Sequence, residues 1–212
     1  STLSTPGYCT WTAGTYVSNG EAQTVPNDAS FVDIISVGQG FLVEATATGT
    51  SLEFNNSQRI ADNSNQFFKS SSATTSATIE RNRMWLNLTN ESGDFHQMAV
   101  GYITDATQGV DRFDGKFFND GAISLNSIVN NEKYVIQGRA LPFDDTDVVP
   151  LSLTVTTAGN YTISIDHLDG FFSGDQRIFI KDKTNNSLYD LKASSFTFAT
   201  AAGTFNDRFE IV

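Results

Sequence analysis

The chain is expected to be all-β: an antiparallel β-sandwich or jelly roll, built as one large sandwich or two small tandem ones. Short runs alternate apolar and polar residues, the period of a half-buried strand. Turn residues interrupt these runs every 8–12 residues. A helical period is sustained nowhere in the chain.

The elements follow in chain order. Residues 1–30 are turn-rich, with Trp11 and Tyr16 as anchors. Residues 31–54 read as two or three strands, Phe31–Ser36, Phe41–Ala45 and Ser51–Phe54, with Gly49 at a turn. The Ser/Thr run Ser70–Thr78 reads as a loop or linker. An N-terminal β subdomain is therefore expected over 1–70, a linker over 71–80 and a C-terminal sandwich over 81–212. Within the last, Arg83–Thr89, Gln97–Ile103 and Tyr134–Leu141 alternate as strands. Residues 119–131 are expected to hold a short helical turn at most. Leu151–Val155 and Tyr161–Ile165 follow, with Tyr161, Ile163 and Ile165 facing the core. Arg177–Asp182 and Ser187–Lys192 form a hairpin over Lys183–Asn186, and Ser195–Ala199 and Asp207–Ile211 close the set.

Composition narrows the function classes. Hydrophobic residues make up 39% of 212, enough for a core, while charged residues are only 17% and net charge is −11. No basic stripe exists to displace counterions from a nucleic acid, so nucleic acid is not expected as a partner. No apolar stretch is long enough to span a bilayer as a helix, so membrane insertion is not expected either. The single cysteine, Cys9, excludes an internal disulfide and a cysteine zinc site and is read as a free thiol. The N-terminus lacks the basic and apolar regions of a signal peptide, so the chain is read as a mature form or a fragment.

Several segments also carry a resemblance. They are Val37-Gly-Gln-Gly-Phe-Leu-Val43, Phe54-Asn-Asn-Ser-Gln-Arg59, Met84-Trp-Leu-Asn-Leu88, Asp111-Arg-Phe-Asp-Gly115, Ile136-Gln-Gly-Arg-Ala-Leu-Pro-Phe143 and Ala202-Gly-Thr-Phe-Asn-Asp-Arg-Phe209. Over residues 31–212 the chain resembles the conserved C-terminal region of large extracellular proteins of Flavobacteria and related Bacteroidetes. In that group the region precedes the sorting signal read by the type IX secretion system. The resemblance implies export and an extracellular, cell-surface location, and it implies no catalytic activity. The group's signal domain would follow a segment like Phe205–Phe209, and this chain stops at Val212.

Few constellations point to chemistry. No Gly-x-Ser-x-Gly elbow presents a nucleophile. His96 and His167 stand near a strand start and a strand end and read as surface or turn residues. Acids abound, but sequence does not say which of them meet across a cleft. Two loops concentrate hard oxygen donors of the kind Ca²⁺ takes: Asp105, Asp111 and Asp114, then Asp144, Asp145 and Asp147. Neither matches an EF-hand, and aspartates forming Asx-turns explain both loops as well. Trp11, Trp85, Phe171 and Phe172 are candidate sugar-stacking aromatics, and Phe171-Phe172, inside the turn Asp169–Gly174, is the pair expected to be exposed.

The expected function is a non-catalytic structural or adhesive module of a secreted cell-surface protein. Its partners would be extracellular polysaccharide or neighbouring copies of itself. The alternatives are a carbohydrate-binding module, Ca²⁺-assisted, and an accessory domain of a secreted hydrolase.

Overall fold

In a computed structural model, the residues described are 9–12, 15–18, 55, 80–118 and 121–212. Backbone proximity divides the chain into two units, Ser1–Val25 with Ala77–Val212, and Pro26–Ser76; every strand described lies in the first. The strands expected over 31–54, the Ser/Thr run 70–78 and most of the expected linker 71–80 fall outside the described residues.

The described residues are all-β. A hairpin pairs β1 (Cys9–Thr12) with β2 (Thr15–Ser18). The remaining strands are β3 (Arg81–Asn90), β4 (Phe95–Ile103), β5 (Gly115–Lys116), β6 (Ile123–Val129), β7 (Glu132–Arg139), β8 (Val149–Val155), β9 (Gly159–Leu168), β10 (Phe179–Asp182), β11 (Ser187–Asp190), β12 (Phe196–Thr200) and β13 (Gly203–Ile211). They form one sheet in the order β11-β10-β13-β8-β6-β7-β4-β3-β9-β12, with β5 also on β7.

This sheet departs from the expected antiparallel one. β4 and β7 run parallel, in the register Ala99↔Ile136 to Tyr102↔Arg139, so the sheet is mixed. The long excursion 104–131 between them gives the chain room to return in the same direction. The helical turn allowed for 119–131 is instead the strand β6, which pairs with both β7 and β8. Asn130 and Asn131, at φ 52° and 65°, close the β6–β7 hairpin. This two-residue turn needs left-handed backbone at both positions, which asparagine tolerates.

Local chemistry explains the other turns. Asn90 Oδ1 accepts the Ser92 and Asp94 N–H groups and closes the β3–β4 turn. Asp182 Oδ1 accepts the N–H and hydroxyl of Thr184, and β10 and β11 pair from Phe179↔Asp190 to Asp182↔Ser187, matching the expected hairpin.

Rows of apolar side chains run across the strands. His96, Leu88, Ile163 and Phe196 share one cross-strand row, and Met98, Leu86 and Ile165 the next. Phe196 and Phe198 of β12 meet Phe209 of β13 with ring centroids 5.9 and 4.7 Å apart. The core therefore lies inside this curled, nearly barrel-shaped sheet, where the aromatic rings of β12 meet β13. The two end strands of the sheet also meet, since Tyr189 of β11 stacks on Phe196 of β12 at 4.1 Å. Tyr161 and Ile163 are buried and Ile165 packs against the core, as their alternation predicts.

Three arginine–aspartate pairs fasten strands to segments beside them in the fold. Arg83 holds Asp169, Arg139 holds Asp147, and Arg208 holds Asp182. Asp182 is almost fully buried; burial alone would raise its carboxyl, but hydrogen bonds from Arg208 and Thr184 outweigh this and hold it below the usual range.

Candidate functional site

One cavity among the described residues is a pocket of about 500 Å³ where the ends of β3 and β4 approach β10 and the end of β13. Met84, Phe172, Ile178 and Ile211 supply its apolar lining. Two loops form its walls, and side-chain bonds hold each of them.

The first wall is the loop 143–148 between β7 and β8. Asp144 Oδ1 accepts the N–H and hydroxyl of Thr146 at 2.8 and 2.7 Å, which lowers its carboxyl pKa. Asp147 accepts the Tyr102 hydroxyl at 2.8 Å and a two-pronged bond from Arg139. Burial, and then the Asp147 charge, push the Tyr102 phenol well above its usual range, so it remains a donor. Phe143 lies edge-on to Tyr102 at 4.7 Å.

The second wall is a single 3-10 turn, Gly170–Ser173, and the segment after it. Asn82 Oδ1 accepts the Phe171 N–H at 2.9 Å. The Lys192 ammonium donates to three carbonyls of this segment, Phe172, Gly174 and Gln176. Gly170 has φ +59°, where a side chain is strained.

Two carboxylates line this pocket without a hydrogen bond or ion pair, Asp145 on the first wall and Asp175 on the second. The other charged groups there are already answered: Asp147 by Arg139, and Arg177 by Asp190 at 2.6 Å while it lies over the Phe179 ring. The arrangement can bind a ligand through charge, hydrogen bonds and apolar contact.

The remaining sequence candidates sit as follows. In the first acidic loop, Asp105 is an exposed left-handed turn residue at φ 69°. Asp111 accepts the N–H groups of Thr107 and Phe113 and the Thr107 hydroxyl. Asp114 accepts the N–H groups of Asp111 and Gly138. These are turn and anchor bonds made by the oxygens that a Ca²⁺ ion would take. Among the described residues no group of three or more His, Cys, Asp or Glu is placed to hold a metal ion.

Trp85 is buried at 1% exposure, between the Arg83 guanidinium and the His167 ring, which stacks on it at 3.8 Å. Phe172 is also buried at 1%, against the expected exposure, because its turn folds back onto Tyr102 and Phe143; Phe171 is half-buried beside it. The Trp11 side chain lies outside the described residues, though its backbone is in β1. His96, read as a surface or turn residue, is buried, and its Nδ1 accepts the Leu125 N–H across the core. His167 is half-exposed and pairs with Asp166 at 2.6 Å.

The chain matches a domain of unknown function, DUF8693, over residues 2–212. It belongs to the DUF8693 family. No curated protein and no solved structure matches it. The family's description assigns no activity, so the reading of this DUF8693 domain rests on its residues and their geometry.

Asp114 makes a testable pH dependence. Burial pushes its carboxyl up to about 6, and the Asp111 charge adds to this, against the two backbone N–H bonds that lower it. A raised folded-state pKa binds a proton on folding. The stability it contributes is complete below the unfolded value, about pH 4, and is lost as pH rises through about 6. The stability difference between the natural chain and Asp114→Asn is expected to change between pH 4 and 7 and to be flat outside that window. Urea unfolding at a series of pH values checks this, and a difference that stays constant across the window would refute it.

Proposed function

We propose that this DUF8693 domain is a non-catalytic module of a secreted cell-surface protein, with a structural and adhesive display role. One observation carries the reading. The candidate sugar-stacking aromatics whose side chains are described are spent inside the fold: Trp85 and Phe172 are buried and Phe171 is half-buried, and the exposed aromatics Phe118 and Tyr189 are not among those candidates. This favours a spacer over a carbohydrate-binding module, whose residues Trp85 and Phe172 are now core. We read the β12-β9-β3-β4 and β13-β8-β6 stretches as the two layers of a sandwich, packed on each other through Phe196, Phe198 and Phe209. The surface location follows from the sequence resemblance, with type IX export as the route. Neighbouring copies are the expected partners, because the end strand β11 presents Leu188 at 58% exposure.

Deleting this domain from the full-length protein in its native host is expected to reduce surface display of the rest of that protein, read by antibody labelling of intact cells. Unchanged display and unchanged cell adhesion would overturn the reading. A glycan-array screen of the purified chain, with Ca²⁺ and again with EDTA, is expected to be silent in both arms. A Ca²⁺-dependent hit would restore the carbohydrate reading.

A further inference from the structure

We infer that loop 104–114 is a pH-responsive strap across β7, closed on the strand while Asp114 holds a proton and loosened when the proton leaves. This goes beyond the display reading and does not rest on it.

The course of the loop makes it a strap. Ile136 of β7 pairs with Ala99 of β4 on one flank and with Gly115 of β5 on the other. Loop 104–114 joins those two strands and so crosses from one flank of β7 to the other. It passes Gly138, where an added Cβ would lie 2.4 Å from the Phe113 Cβ. Phe113 is buried there, and with Ile103 and Ala106 it forms an apolar cluster of its own, apart from the main core. A loop that carries its own small cluster can open without breaking the rest of the fold. Asp114 fastens it. One carboxyl oxygen accepts the Gly138 N–H at 3.0 Å and the other accepts the Asp111 N–H at 2.7 Å, so a single carboxyl bridges loop and strand. The same carboxyl is the weak point. Burial pushes it up to about 6; the two N–H bonds oppose this, the Asp111 charge adds to it, and Arg139 of β7, itself paired with Asp147, opposes it. Opened to water, the carboxyl returns to the ordinary aspartate range, near 4. A proton therefore binds the closed strap more tightly than the open one. Closure is fully favoured below about pH 4, and that advantage is lost as pH rises through about 6. Opening uncovers the Phe113 cluster, so the domain shows that apolar face more often in neutral medium and seals it in acid.

Hydrogen exchange of the backbone amides, followed by NMR on the whole chain from about pH 5 to pH 8, tests this. Protection is taken relative to the intrinsic exchange rate at each pH. The amides of Asp111, Phe113, Asp114 and Gly138 all bond to acceptors in the strap. Their protection is expected to fall about tenfold over that range, with most of the fall below about pH 7. The Leu191 amide, bonded to the Ile178 carbonyl at 2.9 Å outside the strap, reports unfolding of the whole domain. The strap amides are expected to be at least about a hundredfold less protected than Leu191. Adding about 1 M urea should speed exchange at Leu191 and leave the strap amides unchanged, since a local opening exposes little surface. In Asp114→Asn, which keeps an oxygen acceptor for the Gly138 N–H, the pH dependence of the strap amides is expected to vanish. Strap protection that is constant from pH 5 to pH 8 would overturn the proposal, and so would strap amides as protected and as urea-sensitive as Leu191. Both outcomes are read on the natural chain, without any substitution. A pH dependence that persists in Asp114→Asn would overturn the assignment to this carboxyl. Failure here leaves the display reading standing, because that is measured on cells with the domain deleted.

Discussion

Asp182→Ala is expected to cost about 3–5 kcal/mol of folding free energy. Its carboxylate is buried and answers the Arg208 guanidinium, which also donates to the Ala199 carbonyl and lies over the Phe198 and Phe209 rings at 4.9 and 4.6 Å. Arg208 thus reaches from β13 to β10 and β12, near the line where the two ends of the sheet meet. Removing only the carboxylate leaves a half-buried cation without its partner, which is the expensive half of an ion pair to keep. Replacing both residues with apolar ones, Asp182→Leu with Arg208→Met, is expected to recover most of the loss. Glu132→Gln, at the exposed Lys116–Glu132 pair, should cost at most about 1 kcal/mol. Equilibrium urea unfolding of the four chains decides the matter. Equal losses for Asp182→Ala and Glu132→Gln would show that the Arg208 pair is not a structural tie. The pair also has an acid limit. The lowered Asp182 carboxyl contributes stability above its unfolded value, and that stability is lost as pH falls through the folded one.

Gly170→Ala is expected to be nearly as damaging, at about 3 kcal/mol. Two costs add there. The residue sits at φ +59°, and a Cβ would meet the Arg81 carbonyl oxygen at 2.5 Å and also overlap Asn82 Oδ1. The Asn82 oxygen holds the Phe171 N–H, so the substitution pushes on the bond that fixes the second pocket wall. Gly109→Ala is the control, because its nearest neighbour is a hydroxyl at 3.8 Å and its backbone is not left-handed; a change within about 0.5 kcal/mol is expected. Thermal melts of both variants, with NMR signals of residues 171–178 as the local readout, separate a general loss from a local one. A Gly170→Ala chain as stable as Gly109→Ala would mean that the turn can be rebuilt elsewhere.

Much of the fold was legible because strand alternation and turn chemistry are local. β3 shows Met84, Leu86 and Leu88 at every second position, and the β10–β11 hairpin announces itself in Lys183-Thr-Asn-Asn186. β6 was not legible. Its run Ile123-Ser-Leu-Asn-Ser-Ile-Val129 buries Ser124, Asn126 and Ser127 together with its apolar residues, so no polar face marks the period. The parallel β4–β7 pairing was equally hidden, since alternation carries no information about direction. The site divides in the same way. Asp145 was visible in an acidic run, whereas Asp175 had no local signal and matters only because its segment folds toward loop 143–148. Phe171-Phe172 misled because turn composition suggests exposure, while burial is decided by the distant Tyr102 and Phe143.

Lys192 bears on how this domain meets its surroundings. Carbonyls converging on one point are what a potassium or sodium ion seeks in a peptide ring. Here the positive charge is covalently tethered, so dilution cannot wash it out and chelators cannot remove it. That makes the shape of the segment after Gly170 indifferent to the mineral content of the medium.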